Sequence, residues 1–164
     1  MKELPSDLLT ETEWEMLCDG CGLCCLYKVQ DEDSGELFYT SIVCPLLNRE
    51  TARCSSYADR FSKMPSCTKI SAENLPKIAR WLPKNCAYRC LLEGMALPDW
   101  HPLMQDPSPE ADTLRKKISG ICIRPNTCIS KAGAEEIIRN SRAPRSFHKL
   151  NRLLLNNVIE DQEI

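Results

Sequence analysis

Apolar positions along this chain come in short bursts separated by turn-forming residues. In DLLTETEWEML, residues 7–17, Leu9, Trp14 and Leu17 form the candidate inner face of a short amphipathic helix, with Asp7 as its N-cap. Residues 31–36 (DEDSGE) read as a turn reversing at Ser34-Gly35, and LFYTSIVC then alternates as a strand ending at Cys44. LLNRETARC is predicted to be a turn or short hairpin arm leading to Cys54, SSYADRF a helical turn and KMPSC a loop. Ser71 caps a turn, and Pro76 suits the first position of a helix over 76–82. CAYRCLLEG reads as a helix stopped by Gly94. Pro98, Pro102, Pro107 and Pro109 mark Leu97–Pro109 as an extended connector, and ISGICI as the short strand after it. Two helices are expected over 132–140 and 145–158, the second amphipathic through Phe147, Leu150, Leu154 and Val158.

The pattern predicts an α+β fold, mostly α with short β elements, in a small loop-rich domain. A first part over 1–130 is expected to carry the chemistry and a basic helical extension to follow over 131–164. With eleven prolines and 6% aromatic residues, packing alone offers a modest core.

Eleven cysteines in 164 residues change the picture. Disulfides and metal ligation are the two physical explanations. The N-terminal MKELPSDLLTETEWE has no apolar stretch of the secretory kind, and no apolar run approaches the roughly 18–20 residues that span a bilayer. An odd count also fits closed disulfide pairing poorly. The expected setting is therefore an intracellular reducing compartment, the cytoplasm or an organelle matrix, where clustered cysteines bind metal more often than they pair. Charge is uneven as well. Nine acids oppose Lys28 alone between Glu3 and Asp33, whereas six bases oppose Glu135 and Glu136 between Lys131 and Arg152.

The strongest chemical signal is Cys18-x2-Cys21-x2-Cys24-Cys25. Thiolates two residues apart on a turning backbone can face one centre. Gly20 and Gly22 permit the positive φ that such a curl requires and turn backbone N–H groups toward anionic sulfur. Adjacent side chains diverge, so Cys24 and Cys25 are awkward ligands for one mononuclear ion; one sulfur is better sent to a second centre or another cluster iron. Cys44, Cys54, Cys67 and Cys86 follow at separations too wide for a local knuckle. Eight thiolates suit two four-ligand centres, or four cluster ligands plus a structural set. A CxxCxxC run without a second clean CxxC favours an iron–sulfur cluster over two zinc ions.

CDGCGLCC, DEDSGE, Cys44, Cys54 with Tyr57 and Arg60, Cys67, WLPKNCAYR and LPDWHPL together resemble the bacterial YcgN-like cysteine-cluster family, a zinc- or iron-chelating CxxCxxCC domain. The resemblance runs from about Trp14 to Ser130. It implies Cys18, Cys21, Cys24, Cys25, Cys44, Cys54, Cys67 and Cys86 as metal ligands. Flagellin lysine N-methylase is similar over the cysteine motif and is associated with an iron–sulfur cluster, which supports iron. Cys90, Cys122 and Cys128 fall outside the family pattern, and this chain has Ala52 where members often carry another cysteine.

Other residues invite blander readings. Cys90, four residues after Cys86, is expected to be a core residue more often than a ligand, and Cys122 and Cys128 to be packing thiols around Arg124-Pro125-Asn126. His101 is read as structural and His148 as a surface residue. DEDSGE lacks the twelve-residue ligand series of a calcium loop. Arg60 is placed to bond a carbonyl or a thiolate, or to lie free on the surface. The expected role is a non-enzymatic metal-binding protein, an accessory subunit docking a protein partner through its basic C-terminal helix, with RNA a weaker candidate. A redox or cluster-assisted transfer enzyme and a metal storage or chaperone protein are the alternatives. No nucleotide loop, nucleophile triad or carboxylate pair is visible.

Overall fold

The computed structural model describes residue 4 and residues 7–126, 131–144 and 158–159. In chain order its elements are α1 (Glu11–Glu15), β1 (Leu26–Gln30), β2 (Leu37–Val43), β3 (Leu47–Asn48), β4 (Arg53–Cys54), α2 (Arg60–Lys63), α3 (Leu75–Ile78), α4 (Ala87–Glu93), α5 (Pro102–Gln105), α6 (Pro109–Ser119), α7 (Lys131–Asn140) and β5 (Val158–Ile159). Single 3-10 turns add Leu23–Cys25 and Ala79–Trp81. The described residues are thus mixed α+β, with short helices and two small antiparallel sheets.

The chain folds as two compact units, each assembled from two stretches: 1–19 with 70–129, and 20–69 with 130–164. This grouping by contact differs from the division at residue 130 drawn from charge and motif.

The first unit is helical. Thr10 caps α1: its hydroxyl accepts from the Glu13 N–H at 3.2 Å, and Glu13 Oε2 accepts from the Thr10 N–H at 2.9 Å. This reciprocal box places the helix start three residues later than the expected Asp7 cap. Leu17 is fully buried, with Leu9 and Trp14 half-buried beside it, and the Trp14 indole donates to the Ile70 carbonyl at 2.9 Å. α4 begins at Cys86 and stops at Gly94, whose φ of 71° provides the left-handed C-cap. Leu75, Leu82, Tyr88, Cys90, Leu91, Leu103, Leu114 and Ile118 form the core.

Two expectations fail in this unit. The proline-rich connector contains α5, capped by His101, and α6 opens at the connector's last residue, Pro109, and takes in Ile118 and Ser119 at the start of the expected strand. Ser108 caps α6 by accepting from Ala111 N–H at 3.2 Å, and Pro109 sits in its first turn, where a missing N–H costs nothing. Ile118 therefore belongs to a helix face with Ala111 and Leu114.

The second unit is built on a hairpin. β1 and β2 pair antiparallel from Leu26↔Val43 to Gln30↔Leu37, with an irregularity between Leu26 and Lys28. Asp31 fixes the turn, its carboxylate accepting from the Ser34 N–H at 2.7 Å and from the Ser34 hydroxyl at 2.8 Å. Residues 31–36 are exposed, so DEDSGE is a solvated turn. β5 pairs with β2 on its other edge at Tyr39 and Thr40; Val158 is therefore in a strand, and the rest of the helix expected over 145–158 lies outside the described residues. α7 buries Ala134 and Ile138 in a core with Leu23, Leu26, Tyr39, Val43 and Leu47.

Candidate metal centre

The second unit gathers cysteines where the hairpin meets the glycine loop. Gly20 (φ 69°) and Gly22 (φ 76°) both adopt the left-handed conformation, and Gly22 leads directly into the 3-10 turn that carries Cys24 and Cys25. A Cβ at Gly22 would stand 3.3 Å from the Ala52 carbonyl oxygen, so the loop closes down on β3–β4 only because that atom is absent. Cys44 follows β2 and is tied back by its N–H to the Cys25 carbonyl at 2.9 Å. Cys54 ends β4 opposite Leu47, and Cys67 closes the turn after α2 with its N–H on the Met64 carbonyl.

The thiols of this unit act on one another's charge. Cys25 shares a hydrogen bond with Cys24; this first, then burial, and then the Cys24 and Cys44 charges hold its thiol far above the ordinary range. Burial raises Cys67, and Cys44, Cys54 and Cys24 push the same way against the opposing Arg60 guanidinium. Tyr27 is raised by burial and by Cys44. Cys24, Cys25, Cys44, Cys54 and Cys67 thus form one interacting set, and Cys21 and Cys25 each pack against the core of the unit. Cys25 and Cys67 are held toward the neutral thiol, which a bound cation would reverse. The donor set, soft and able to become anionic, fits zinc or iron. Among the described residues no three Cys, His, Asp or Glu side chains already stand as a ready-made metal cage.

Sequence reasoning did not single out Lys28, although it is the lone base among the nine N-terminal acids. Its ammonium donates to the Cys24 carbonyl at 2.9 Å and the Leu26 carbonyl at 2.8 Å, and lies 5.1 Å from the Tyr39 ring centre. Burial lowers its pKa, while Cys24 and Cys25 pull it back up. A cation is thus built in under the vicinal pair. Arg60 donates to the Tyr57 carbonyl and stacks on the rings of Tyr57 and Phe61, the carbonyl-binding option of its expected roles.

The remaining cysteines are on the first unit. Cys18 is exposed just after α1, and Cys86 is half-buried at the N-cap of α4. Cys90 is fully buried in the core, its thiol 3.6 Å from the Lys84 carbonyl and its sulfur accepting from Asn126 Nδ2 at 3.4 Å, so it packs as expected. Cys122 is half-buried against the same core, and Cys128 and His148 lie outside the described residues. His101 is buried between two backbone groups: Nδ1 accepts from the Leu103 N–H at 3.1 Å, which leaves Nε2–H to donate to the Leu17 carbonyl at 3.0 Å. That is the structural histidine expected from its context. The ten described cysteines form no disulfides with one another.

A small α+β protein with a cluster of mutually coupled thiols defines the class: a cysteine-cluster protein with metal-chelating chemistry. The chain belongs to the UPF0260 (YcgN) family. Residues 17–87 match the CxxCxxCC family model, described as a "putative zinc- or iron-chelating domain". A UPF0260 protein of Enterobacter sp. (strain 638) is 45% identical over 118 residues, covering 72% of this chain and 80% of that protein. A UPF0260 protein of Klebsiella pneumoniae (strain 342) is 52% identical over 98 residues, 60% of this chain and 66% of its own length. The UPF0260 protein YcgN of Salmonella paratyphi A gives the same figures. No solved structure matches this chain. No described helix is long and apolar enough to cross a membrane.

Proposed function

We propose that this protein holds an iron–sulfur centre on its cysteine cluster and serves as a structural or accessory subunit. The observation that carries the reading is the coupled set Cys24, Cys25, Cys44, Cys54 and Cys67, drawn together by a glycine loop and a hairpin. The family framework adds Cys18, Cys21 and Cys86 as proposed metal ligands. Adjacent sulfurs at Cys24 and Cys25 suit a polynuclear cluster, whose separate irons accept diverging ligands. Lys28 and Arg60 are fixed cations that offset part of the negative charge on bound thiolates. Metal ligation requires thiolates, and Cys25 and Cys67 are pushed toward the protonated form, so affinity rises with pH and loading releases protons.

Anaerobic isolation with metal analysis, acid-labile sulfide and an absorption spectrum tests the proposal. Stoichiometric iron and sulfide with broad visible absorption are expected, lost in Cys24→Ser and Cys67→Ser. Colourless protein carrying about two zinc ions would move the assignment to structural zinc. Metal-free native protein would end it.

A second reading, electron or group transfer, draws on the exposure of Cys24. Reversible reduction followed by EPR separates it from a redox-silent centre. Protein-partner docking is assigned to the basic C-terminal segment, and pull-down with a chain truncated after Arg142 tests it. RNA contact is the weaker alternative there.

A further inference from the structure

The β3–β4 hairpin touches the cysteine loop at two consecutive residues. Ala52 stands against Gly22, and the Arg53 guanidinium lies on Gly20, where a Cβ would fall 2.5 Å from Cζ, 2.5 Å from Nη1 and 2.9 Å from Nη2. Near-equal distances to three atoms of a planar group put its face, not its edge, over the bare backbone. Gly20 and Gly22 flank Cys21, so the hairpin bears on the loop on both sides of that thiol. The hairpin itself is well fastened. At its tip Asn48, paired with Arg53 across the strands, accepts through Oδ1 from the Glu50 N–H at 2.9 Å and the Thr51 N–H at 3.2 Å. At its base the Ser55 N–H donates to the Leu46 carbonyl at 2.7 Å and the Leu47 N–H to the Cys44 carbonyl at 2.9 Å. The Cys44 N–H is in turn bonded to the Cys25 carbonyl, so backbone joins loop and hairpin at that end, and Ala52 and Arg53 meet the loop at the glycines. All of these residues belong to one unit.

We infer that Arg53 is a positioning residue of the cysteine cluster, its guanidinium clasping the Gly20–Gly22 loop to the hairpin and so fixing where Cys21 meets the metal. Arg53 is exposed, so burial does not force the contact. The seat exists because residue 20 has no side chain, and an arginine suits it. A planar fork can lie against a peptide while its N–H groups still reach water, whereas an ammonium is a compact, strongly hydrated point charge. The fork also brings fixed positive charge to a loop whose sulfurs become anionic when they bind metal. Arg53 acts through the backbone on either side of Cys21, as outer partners do when they orient a metal ligand. The inference rests on the proposed ligand role of Cys21.

Arg53→Met, Arg53→Lys, Cys21→Ser and wild type, each isolated anaerobically with native metal and also prepared metal-free, decide the matter. Amide exchange at residues 20–22 of the metal-free chain reads the clasp alone. It is expected to quicken several-fold in Arg53→Met while the denaturant midpoint holds, as an exposed substitution allows. Release of bound metal to a chelator is expected to quicken roughly 10-fold. Arg53→Lys keeps the charge without the planar fork and is expected to recover little of either effect. Unchanged exchange at residues 20–22 would overturn the inference, as would faster exchange with unchanged release, or full recovery in Arg53→Lys. A lowered midpoint with faster exchange throughout residues 20–69 would make Arg53 a residue of the fold at large and overturn it too. Cys21→Ser separates the two levels of argument. Wild-type metal content and release in that variant remove the ligand role itself, whereas metal loss there with normal release in Arg53→Met removes only the role of the arginine.

Discussion

Ala52 is held at φ 55°, the one non-glycine residue in the left-handed region among those described. It occupies the β3–β4 turn against which Gly22 closes, so the strain lies on the wall of the cysteine loop. Ala52→Gly is expected to raise stability by about 0.5–1 kcal/mol, the relieved strain less the added chain entropy, as read by denaturant midpoint. His101 is the other residue with a definite signature. Burial holds its pKa below the ordinary 6.5, against an opposing pull from Asp19 and the Leu17 carbonyl. The unfolded chain therefore protonates first. The neutral ring's contribution is complete above pH 6.5 and fades as pH falls through the lower folded value. His101→Phe would leave the Leu17 carbonyl and the Leu103 N–H unpaired. It should cost about 2–4 kcal/mol and flatten the acid limb of a stability-versus-pH curve.

At the scale of elements, legibility followed the strength of local signals. The hairpin was readable because LFYTSIV alternates and the Asp31 turn has its own side-chain fastening. α4 was readable because Cys86 and Gly94 bracket it. α6 was not, because Pro107 and Pro109 read as breakers when Pro109 in fact opens the helix behind the Ser108 cap. Ile118, Ile121 and Cys122 stand at helical spacing, a cue outweighed by the β-favouring look of ISGICI. If the cap defines α6, Ser108→Ala should lower stability by about 1 kcal/mol, measured by thermal or urea unfolding. The thiols themselves were legible from spacing. The charges that serve them were less so, since only the register of β1 against β2 sets Lys28 under the Cys24–Cys25 pair and opposite Tyr39.

For the whole molecule, the two units differ in how much apolar packing holds them. Among the described residues, the unit with residues 70–129 has a core running from Leu4 to Ile118, while the unit with residues 20–69 has a smaller set of buried side chains around Tyr39 and Leu47. On the proposed metal-bound reading the second unit is the one expected to depend on metal, since metal binding to thiolates is folding free energy of roughly 10 kcal/mol or more for structural zinc. Stripping the metal should expose amides of residues 20–69 to hydrogen exchange while those of α4 and α6 stay protected. Uniform protection after metal removal would count against that dependence.

The order of the chain gives the Trp14–Ile70 hydrogen bond a wider meaning. Residues 20–69 are a detour: the polypeptide leaves the helical core after α1 and must return at Ile70 before Leu17 and Leu75 can share that core. An open segment of some fifty residues adds a modest entropic cost to that return, and ligation across the segment, as proposed, would shorten the effective loop that must close. On the proposed metal-bound reading, metal supply during biosynthesis would then influence how fast the two stretches of the helical core find one another.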